Sequence, residues 1–469
     1  MIRPTAGGKE KGNGMNFIAV DIGSTFIKAA IYDLTGNQVV FTQKCPTPAK
    51  AESPDPHRFE VSAEEIVSVV RGIIEKCMSV SGNIAGILFS TQQHGCVLHH
   101  PQLPRDMYIS WQDTRCLKQN PRSGKSYMEE LSELLPPEIM RRTGVPVKPA
   151  LALCNLYALF CEEALSRQGK IRLYTLGSYV IEKLTGNNIC HITNAAPMGF
   201  VNLPEKSWDH DILSRAGLDF LQLPELIADL RCCGVCRISG TELPVYPDLG
   251  DVQTSVYGTG AASGDMIVNI GTSGQLIMIR DEYDPGEYEI RPYYDGNYCY
   301  VVSRMPGGRN LDVQIDYIRA VGERIFGITL DKGEIWNRIE NNCVISGSGG
   351  LEVDCSFYEI PDRLADGKIL HITHTNFTPE NVLAATAEDY GRMYRKYAEI
   401  LCKGRPFPGT LFFSGGAVLK NRYLSEVIAK AMGISRVINA QQDEVYGGLF
   451  RLAKRCPAKD EREENTDAV

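Results

Sequence analysis

The sequence contains no apolar run that approaches the roughly 18 residues needed to cross a membrane. It also has no long basic run, and its formal net charge is −8. These two absences argue against a nucleic acid or an anionic membrane as the main partner. They leave phosphate ligands open, because backbone N–H groups bind phosphate without any net charge.

Zinc-ligand spacing is a third absence. Cys232, Cys233 and Cys236 lie close together, but no second pair of Cys or His follows at a suitable distance. The 15 cysteines are otherwise scattered, which is typical of reduced thiols in a cytoplasmic protein. We therefore interpret the cysteine cluster as structural.

The two chain ends are polar. Residues 1–14 are rich in glycine and lack the apolar stretch of a signal peptide, so we expect a disordered extension, with Met15 as an alternative start. The charged tail from about residue 457 is also expected to be disordered. The 469 residues, 43% of them apolar, are enough for two large domains.

The organised part begins with a predicted antiparallel meander. Its strands are expected at residues 17–21, 27–32 and 39–41, with turn residues between them. Ser62 and Glu65 then form a capping box before a helix whose apolar residues recur at three and four positions. A buried strand at 84–89 follows, and this alternation of strands and helices predicts an α/β fold.

The opening pattern recurs about half a chain later. Residues 266–270 and 275–279 are predicted strands around Gly271-Thr272-Ser273, just as Gly23-Ser24-Thr25 separates the first pair, and 298–302 is a plausible third strand. This repetition predicts one domain design used twice. Another predicted strand, at 411–413, leads through Gly415 and Gly416 into a helix. This arrangement is typical of phosphate sites and also of ordinary packing turns.

Two hairpins of Gly with Ser or Thr could offer N–H groups and hydroxyls to phosphates. Asp21 ends the first strand, and Asp251 lies between the two halves. Phosphoryl transfer needs phosphate donors, a metal and a carboxylate that deprotonates the acceptor hydroxyl. A lone Asp beside a Gly is more often a turn residue. Only its position between the two halves of the chain makes Asp251 a candidate catalytic carboxylate.

Polar residues after the buried strand suggest a polyol or sugar ligand. Gln93 and His94 follow that strand, at the end where α/β folds place ligands. Trp111, Asp113 and Arg115 add an aromatic platform, a carboxylate and a guanidinium. A core histidine and a surface ion pair are the alternative explanations for His94 and for Asp113 with Arg115.

Taken in order, these motifs resemble the FGGY carbohydrate kinases, from Phe17 to about Arg455. The resemblance implies two ribonuclease H-like α/β domains of the actin, hexokinase and heat-shock-protein ATPase superfamily, flanking an interdomain cleft. It implies a sugar-binding N-terminal domain at 15–247 and a nucleotide-binding C-terminal domain at 248–456. It also implies ATP and Mg²⁺ as cofactors, a small-molecule sugar as partner, a cytoplasmic location and a homodimer.

The resemblance carries site residues over by motif. Asp251, in Gly250-Asp251-Val252-Gln253, is similar to the family's catalytic base, and it shares the metal with Asp21. Sugar contacts are expected from Gln93, His94, Trp111 and Asp113. ATP contacts are expected from Ser24, Thr25, Gly271, Thr272, Ser273, Gly308, Gly415, Gly416 and Asn421.

Within the family the chain resembles sedoheptulokinase, through runs at 111–116, 194–196, 250–257 and 269–276. This implies phosphorylation of sedoheptulose to sedoheptulose 7-phosphate. Xylulose or another ketose or polyol is the alternative, and a non-catalytic actin-like sensor is an alternative of another class. Ser178, Pro197 and Tyr446 depart from the family pattern and leave the sugar open.

Overall fold

The computed structural model describes residues 15–163, 165–343, 345–440 and 444–457. The extension predicted at 1–14 lies outside the described residues, as does the predicted tail beyond residue 457. The chain divides into two compact units. We call residues up to 258, together with those from 445, the first unit, and residues 259–444 the second unit.

The strands in the described part of the chain are β1 (Asn16–Ile22), β2 (Phe26–Asp33), β3 (Gln38–Pro46), β4 (Glu60–Ser62), β5 (Ile84–Thr91), β6 (Cys96–His99), β7 (Met107–Ile109), β8 (Arg172–Tyr174), β9 (Ile189–His191), β10 (Val201–Asn202), β11 (Ser207–Trp208), β12 (Glu225–Ile227), β13 (Gly234–Ile238), β14 (Thr241–Gly250), β15 (Met266–Ile270), β16 (Gly274–Arg280), β17 (Glu289–Pro292), β18 (Tyr298–Met305), β19 (Glu352–Asp354), β20 (Lys368–Leu370), β21 (Thr410–Ser414) and β22 (Arg436–Asn439). The α-helices there are α1 (Ala63–Val80), α2 (Tyr127–Leu134), α3 (Pro137–Met140), α4 (Ala152–Glu162), α5 (Leu176–Thr185), α6 (Ile192–Ala195), α7 (His210–Arg215), α8 (Asp251–Thr259), α9 (Gly308–Phe326), α10 (Lys332–Asn342), α11 (Pro379–Cys402), α12 (Gly416–Leu419), α13 (Arg422–Met432) and α14 (Glu444–Ala453).

The first unit is built on a six-stranded sheet in the order β13-β14-β5-β1-β2-β3. The predicted meander is confirmed, because β1, β2 and β3 pair antiparallel. Strands β1, β5 and β14 run parallel to one another. The predicted helix is also confirmed: Ser62 caps α1 by accepting a hydrogen bond from the Glu65 N–H at 3.3 Å, and the apolar face of α1 packs into the core of this sheet.

The second unit repeats this arrangement in the sheet β17-β18-β16-β15-β21-β22. Its central strand β15 pairs antiparallel with β16 and parallel with β21, as β1 does with β2 and β5. The outer partners also correspond, since β18 pairs antiparallel with β16 and β22 pairs parallel with β21. The prediction of one domain design used twice is therefore confirmed by the strand order.

The first unit also carries a second apolar core, formed mainly by residues between 96 and 221. A four-stranded sheet, β4-β7-β6-β8, belongs to this region, and α2 and α4 pack beside it. The predicted sugar contacts Trp111 and Asp113 follow β7, a strand of this smaller sheet.

The predicted boundary between residues 247 and 248 falls inside β14. This strand pairs with β5 as far as Gly250, so its end belongs to the first unit. The chain also returns to the first unit through α14, where the Tyr446 carbonyl accepts a hydrogen bond from the Tyr32 hydroxyl at 2.6 Å. Tyr446, one of the departures from the family pattern, therefore packs on the first sheet.

A search of the described residues for a membrane-spanning helix finds none that is both long enough and apolar enough.

Candidate active site

Three parallel strands of the first unit end at one edge of the sheet. Ser90 on β5 lies opposite Asp21 on β1 and Leu249 on β14. The next row contains Ile22, Thr91 and Gly250. Asp21 therefore lies at this edge, and Asp251 follows directly after it, as expected for a ligand site at the carboxyl ends of parallel strands.

Asp251 is the first residue of α8 and is partly exposed. One of its carboxylate oxygens accepts the N–H of Val252 at 2.8 Å. A carboxylate is stabilised at a helix N-terminus by the unpaired N–H groups and the helix dipole. The side chain is thus an oriented carboxylate that solvent reaches, which suits a general base.

Gly250 has no room for a side chain. A Cβ there would lie 2.0 Å from the Gln93 amide nitrogen and 2.8 Å from the Thr193 carbonyl oxygen. The same Gln93 nitrogen donates to Gln253 Oε1 and to the Thr193 carbonyl, both at 2.7 Å. The Gly-Asp-x-Gln spacing therefore places Gly250 and Gln253 around the side-chain amide of Gln93.

Gln93 itself is buried, with 4% of its surface exposed. Gln93 was predicted to contact sugar, but its side-chain amide is bonded to Gln253 and to the Thr193 carbonyl. His94 follows in the left-handed backbone region, with φ at 70°. Such a conformation in a residue other than glycine costs about 1–3 kcal/mol and is concentrated at functional sites.

The ring of His94 is oriented by a backbone contact. Its Nδ1 lies 3.0 Å from the Pro197 carbonyl oxygen. Because a carbonyl only accepts, Nδ1 carries the hydrogen in this contact. Pro197, the second departure from the family pattern, therefore helps to set the tautomer of a predicted sugar contact.

Trp111 and Asp113 have opposite environments. The Trp111 side chain is 41% exposed, as an aromatic platform for a ligand requires. Asp113 is fully buried, and its oxygens accept the Phe59 N–H at 2.7 Å and the Arg115 guanidinium at 2.7 and 2.8 Å. This carboxylate offers no exposed surface to a sugar, and the surface ion pair weighed in the sequence analysis is a buried one.

The turn between β1 and β2 presents exposed residues and N–H groups. It is closed by the Gly23 N–H, which donates to the Phe26 carbonyl at 3.1 Å, and Ser24 and Thr25 are exposed. Within the described residues, no acceptor is found for the peptide N–H groups of Ser24 and Thr25. Asp21 precedes this turn and is 8% exposed.

The turn between β15 and β16 is similar. The Gly271 N–H donates to the Ser273 carbonyl at 3.2 Å, and Thr272 is exposed. Over the residues that the structure describes, the Ser273 hydroxyl has no hydrogen-bond partner. Gly308, a predicted ATP contact, is the first residue of α9. Its N–H donates to the Gly271 carbonyl at 2.8 Å and so supports this turn.

The two glycines after β21 have different surroundings. Gly415 has φ at 88°, and a Cβ there would lie 2.6 Å from the Ile270 carbonyl oxygen. Gly416 opens α12, and a Cβ there would meet nothing within 4 Å. Asn421 caps α13 by accepting the Leu424 N–H at 3.0 Å, so its side-chain oxygen has a structural partner.

The predicted metal ligands are two carboxylates, Asp21 and Asp251. No group of three or more His, Cys, Asp or Glu able to hold a metal occurs among the described residues. Mg²⁺ is commonly held by one or two carboxylates together with waters and substrate phosphates. Asp21 and Asp251, the predicted metal ligands, both lie at the carboxyl edge of the first unit's sheet.

The family model for the N-terminal domain of the FGGY family of carbohydrate kinases matches residues 16–258, which is more than half of the chain. The chain belongs to this family. The chain is similar to the mouse (Mus musculus) sedoheptulokinase, with 21% identity over 93% of this chain and 97% of that protein. The resemblance stated from the motifs is therefore confirmed at the level of the family.

Solved structures of FGGY kinases share the fold. The chain is similar to the xylulose kinase from Rhodospirillum rubrum, with a TM-score of 0.77, 18% identity and coverage of 93% of this chain and 89% of that one. It is also similar to the Plasmodium falciparum glycerol kinase solved with ADP, with a TM-score of 0.78, 14% identity and coverage of 98% and 97%. The predicted α/β fold class is confirmed.

One buried carboxylate of this FGGY kinase was missed in the sequence. Asp248 lies in β14, three residues before Asp251, and is fully buried. Burial raises its pKa to about 6, against the hydrogen bonds of Thr175, His191 and Asn194, which lower it. An acid inside the otherwise apolar run 243–249 was the signal that could have found it.

Proposed function

We propose that this FGGY kinase transfers the γ-phosphoryl group of ATP to the terminal hydroxyl of a ketose, with sedoheptulose as the favoured substrate and sedoheptulose 7-phosphate as the product. The observation that carries the proposal is the oriented carboxylate of Asp251, at the edge where β1, β5 and β14 end. The similarity to sedoheptulokinase over nearly the whole chain supports the choice of sugar.

Asp251 would accept the proton of the attacking hydroxyl. General-base assistance of this kind contributes roughly 10²–10⁴-fold to a rate. Gly250 and Gln253 fix the backbone on either side of the carboxylate, so little reorientation is needed when the hydroxyl arrives. His94 and Trp111 would hold the ketose, His94 through its oriented ring and Trp111 through its exposed indole.

The nucleotide phosphates would be contacted by the N–H groups of Ser24 and Thr25, and by Thr272 and the Ser273 hydroxyl of the second turn. Gly415 and Gly416 would let the nucleotide approach the backbone. Mg²⁺, held by Asp21 and Asp251, would neutralise charge on the phosphates. Preorganised donors aimed at developing charge are expected to supply the larger share of the rate enhancement.

A coupled assay of ADP release tests the proposal. Purified protein is incubated with ATP, Mg²⁺ and, in separate reactions, sedoheptulose, xylulose, ribulose or glycerol. We expect ADP release only with a ketose, and the highest kcat/KM with sedoheptulose. A higher kcat/KM with xylulose or ribulose would contradict the choice of sugar, and no sugar-dependent release with any substrate would contradict the kinase activity.

The sensor alternative makes a different prediction in the same samples. A non-catalytic actin-like protein would bind ATP and sugar without turnover, or would form polymers that sediment with ATP. Sedimentation of the protein after ATP addition, without ADP release, would therefore favour that alternative.

A further inference from the structure

The buried carboxylate of Asp248 has an unusual set of partners. One oxygen accepts the Thr175 hydroxyl at 2.6 Å and the Asn194 amide at 2.8 Å, and the other accepts the His191 N–H at 2.8 Å. All of these donors are neutral. A carboxylate buried without a cation destabilises the folded state relative to an apolar residue, so stability alone does not explain its presence.

Two of the donors belong to one short segment, His191–Asn194, and Asp248 bonds both ends of it. Inside this segment, the Thr193 hydroxyl accepts the Gly250 N–H at 3.1 Å. The Thr193 carbonyl accepts the side-chain amide of Gln253 at 3.3 Å. The segment that Asp248 fixes therefore holds residues on both sides of Asp251.

The Asn194 amide joins the same group to the neighbouring strand. Besides Asp248, it donates to the Thr91 hydroxyl on β5. Thr91 lies opposite Gly250 in the sheet, at the row that ends just before Asp251. Gly177 of α5 packs from another side, where a Cβ would lie 2.1 Å from the Asp248 Cβ. The carboxylate is thus held by β9, α5 and α6 at once.

We propose that Asp248 is a positioning residue for Asp251: through the His191–Asn194 segment it fixes the backbone at Gly250 and so aims the Asp251 carboxylate at the acceptor hydroxyl. The inference rests on the proposed role of Asp251 as the base. It gives a reason for a buried charge that contributes nothing favourable to folding, because the same hydrogen bonds that surround the charge order the active-site edge.

Protonation of Asp248 would weaken this arrangement. The protonated oxygen would become a hydrogen-bond donor, while the groups around it, from Thr175, His191 and Asn194, are donors as well. Among the described residues, the thiols of Cys190 and Cys233 interact electrostatically with it, and the ring of His191 belongs to the residue whose backbone N–H it accepts. Burial raises the pKa of both thiols above their usual range and lowers the pKa of His191 to about 4. Among these groups only Asp248, whose pKa burial raises to about 6, changes charge near pH 6.

The test compares the wild type with Asp248→Asn, Asn194→Asp and the double variant that carries both. The Asp248→Asn variant should lose about 10- to 100-fold in kcat and should keep its KM for ATP, since a small displacement of a catalytic group has effects of this size. The wild type should show a fall in kcat below about pH 6 that Asp248→Asn lacks. The double variant restores one carboxylate and one amide, and it should recover about tenfold in kcat.

Amide hydrogen exchange gives a readout that needs no substrate. The Gly250 N–H should exchange about tenfold faster in Asp248→Asn than in the wild type, because its acceptor Thr193 loses its anchor. Asp209→Asn is the matched control, since Asp209 is also a buried carboxylate of the first unit but caps α7 and pairs with Arg142. It should leave the Gly250 exchange rate, kcat and pH profile unchanged.

An unchanged exchange rate of the Gly250 N–H in Asp248→Asn would overturn the inference. So would a kcat for this variant within twofold of the wild type together with the same fall in kcat at acidic pH. If Asp248→Asn does not fold, Asn194→Ala carries the same test, and unchanged exchange at Gly250 in that variant would overturn it equally. Loss of the proposed function looks different: the wild type itself would then release no ADP with any ketose, while the exchange experiment would still decide whether Asp248 orders Gly250.

Discussion

Gly250→Ala should disrupt the candidate site by steric means alone. The new Cβ would lie 2.0 Å from the Gln93 amide nitrogen, 2.7 Å from Gln253 Oε1 and 2.8 Å from the Thr193 carbonyl oxygen. The carbonyl is backbone, and the two amides are bonded to each other at 2.7 Å. None of the three can retreat without breaking a buried hydrogen bond.

The magnitude follows from two contributions. Overpacking a buried position costs about 1–3 kcal/mol, and leaving a buried polar group unsatisfied costs about 1–3 kcal/mol. We therefore expect Gly250→Ala to lower the free energy of unfolding by about 2–5 kcal/mol. Because the displaced groups flank Asp251, turnover should fall by about 10²-fold.

Urea denaturation and the ADP-release assay measure the two effects. Gly72→Ala is the matched control, since Gly72 is exposed within α1 and a Cβ there meets nothing within 4 Å. Alanine at that position should stabilise the protein by about 0.5–1 kcal/mol and leave turnover unchanged. Adding Gln93→Ala to Gly250→Ala makes room for the new methyl group, so it should recover part of the lost stability.

Two results would refute this reasoning. One is a Gly250→Ala variant as stable and as active as Gly72→Ala. The other is simple additivity of Gln93→Ala and Gly250→Ala, because residues in contact should show a coupling energy.

Three further predictions concern single groups. The Asp248 pKa of about 6 exceeds the usual 3.8, so the folded protein binds this proton more tightly than the unfolded chain. Urea titrations give the free energy of unfolding of the wild type and of Asp248→Asn at each pH. The difference, wild type minus variant, should fall by about 2–3 kcal/mol from pH 4 to pH 7, and a rise would contradict the assignment. Asp113→Asn should cost about 3 kcal/mol by leaving the buried Arg115 underpaired, whereas a small stability loss with a raised sugar KM would instead indicate a sugar contact. Gly415→Ala, whose Cβ would meet a backbone oxygen of β15, should weaken ADP binding in calorimetry far more than Gly416→Ala, and equal losses would argue against a close approach at Gly415.

The fold was predictable because its signals are local. Alternating apolar residues and turn residues specified the meander of β1 to β3, and Ser62 marked the start of α1. The repeated Gly-Ser/Thr turn was enough to predict that the second unit repeats the first. Each of these patterns spans a few residues and depends little on the rest of the chain.

The site was predictable only in part, because its side-chain partners are distant in sequence. The position of Asp251 followed from its motif, but the bond between Gln93 and Gln253 joins residues 160 positions apart. Asp248 and the His191 N–H are 57 positions apart. The buried Asp113 likewise accepts the backbone N–H of Phe59, 54 positions away. No local pattern records such pairings, so the sequence suggested sugar contacts at Gln93 and Asp113, where the structure shows supporting hydrogen bonds.

The central claim is that Asp251 is the base for phosphoryl transfer to a ketose. The most direct measurement is the sugar-dependent rate of ADP release by Asp251→Asn at saturating ATP and ketose, beside the wild type, with ATP binding checked by calorimetry. We expect retained ATP binding and a rate lower by about 10²–10⁴-fold. A rate within a few-fold of the wild type would contradict it.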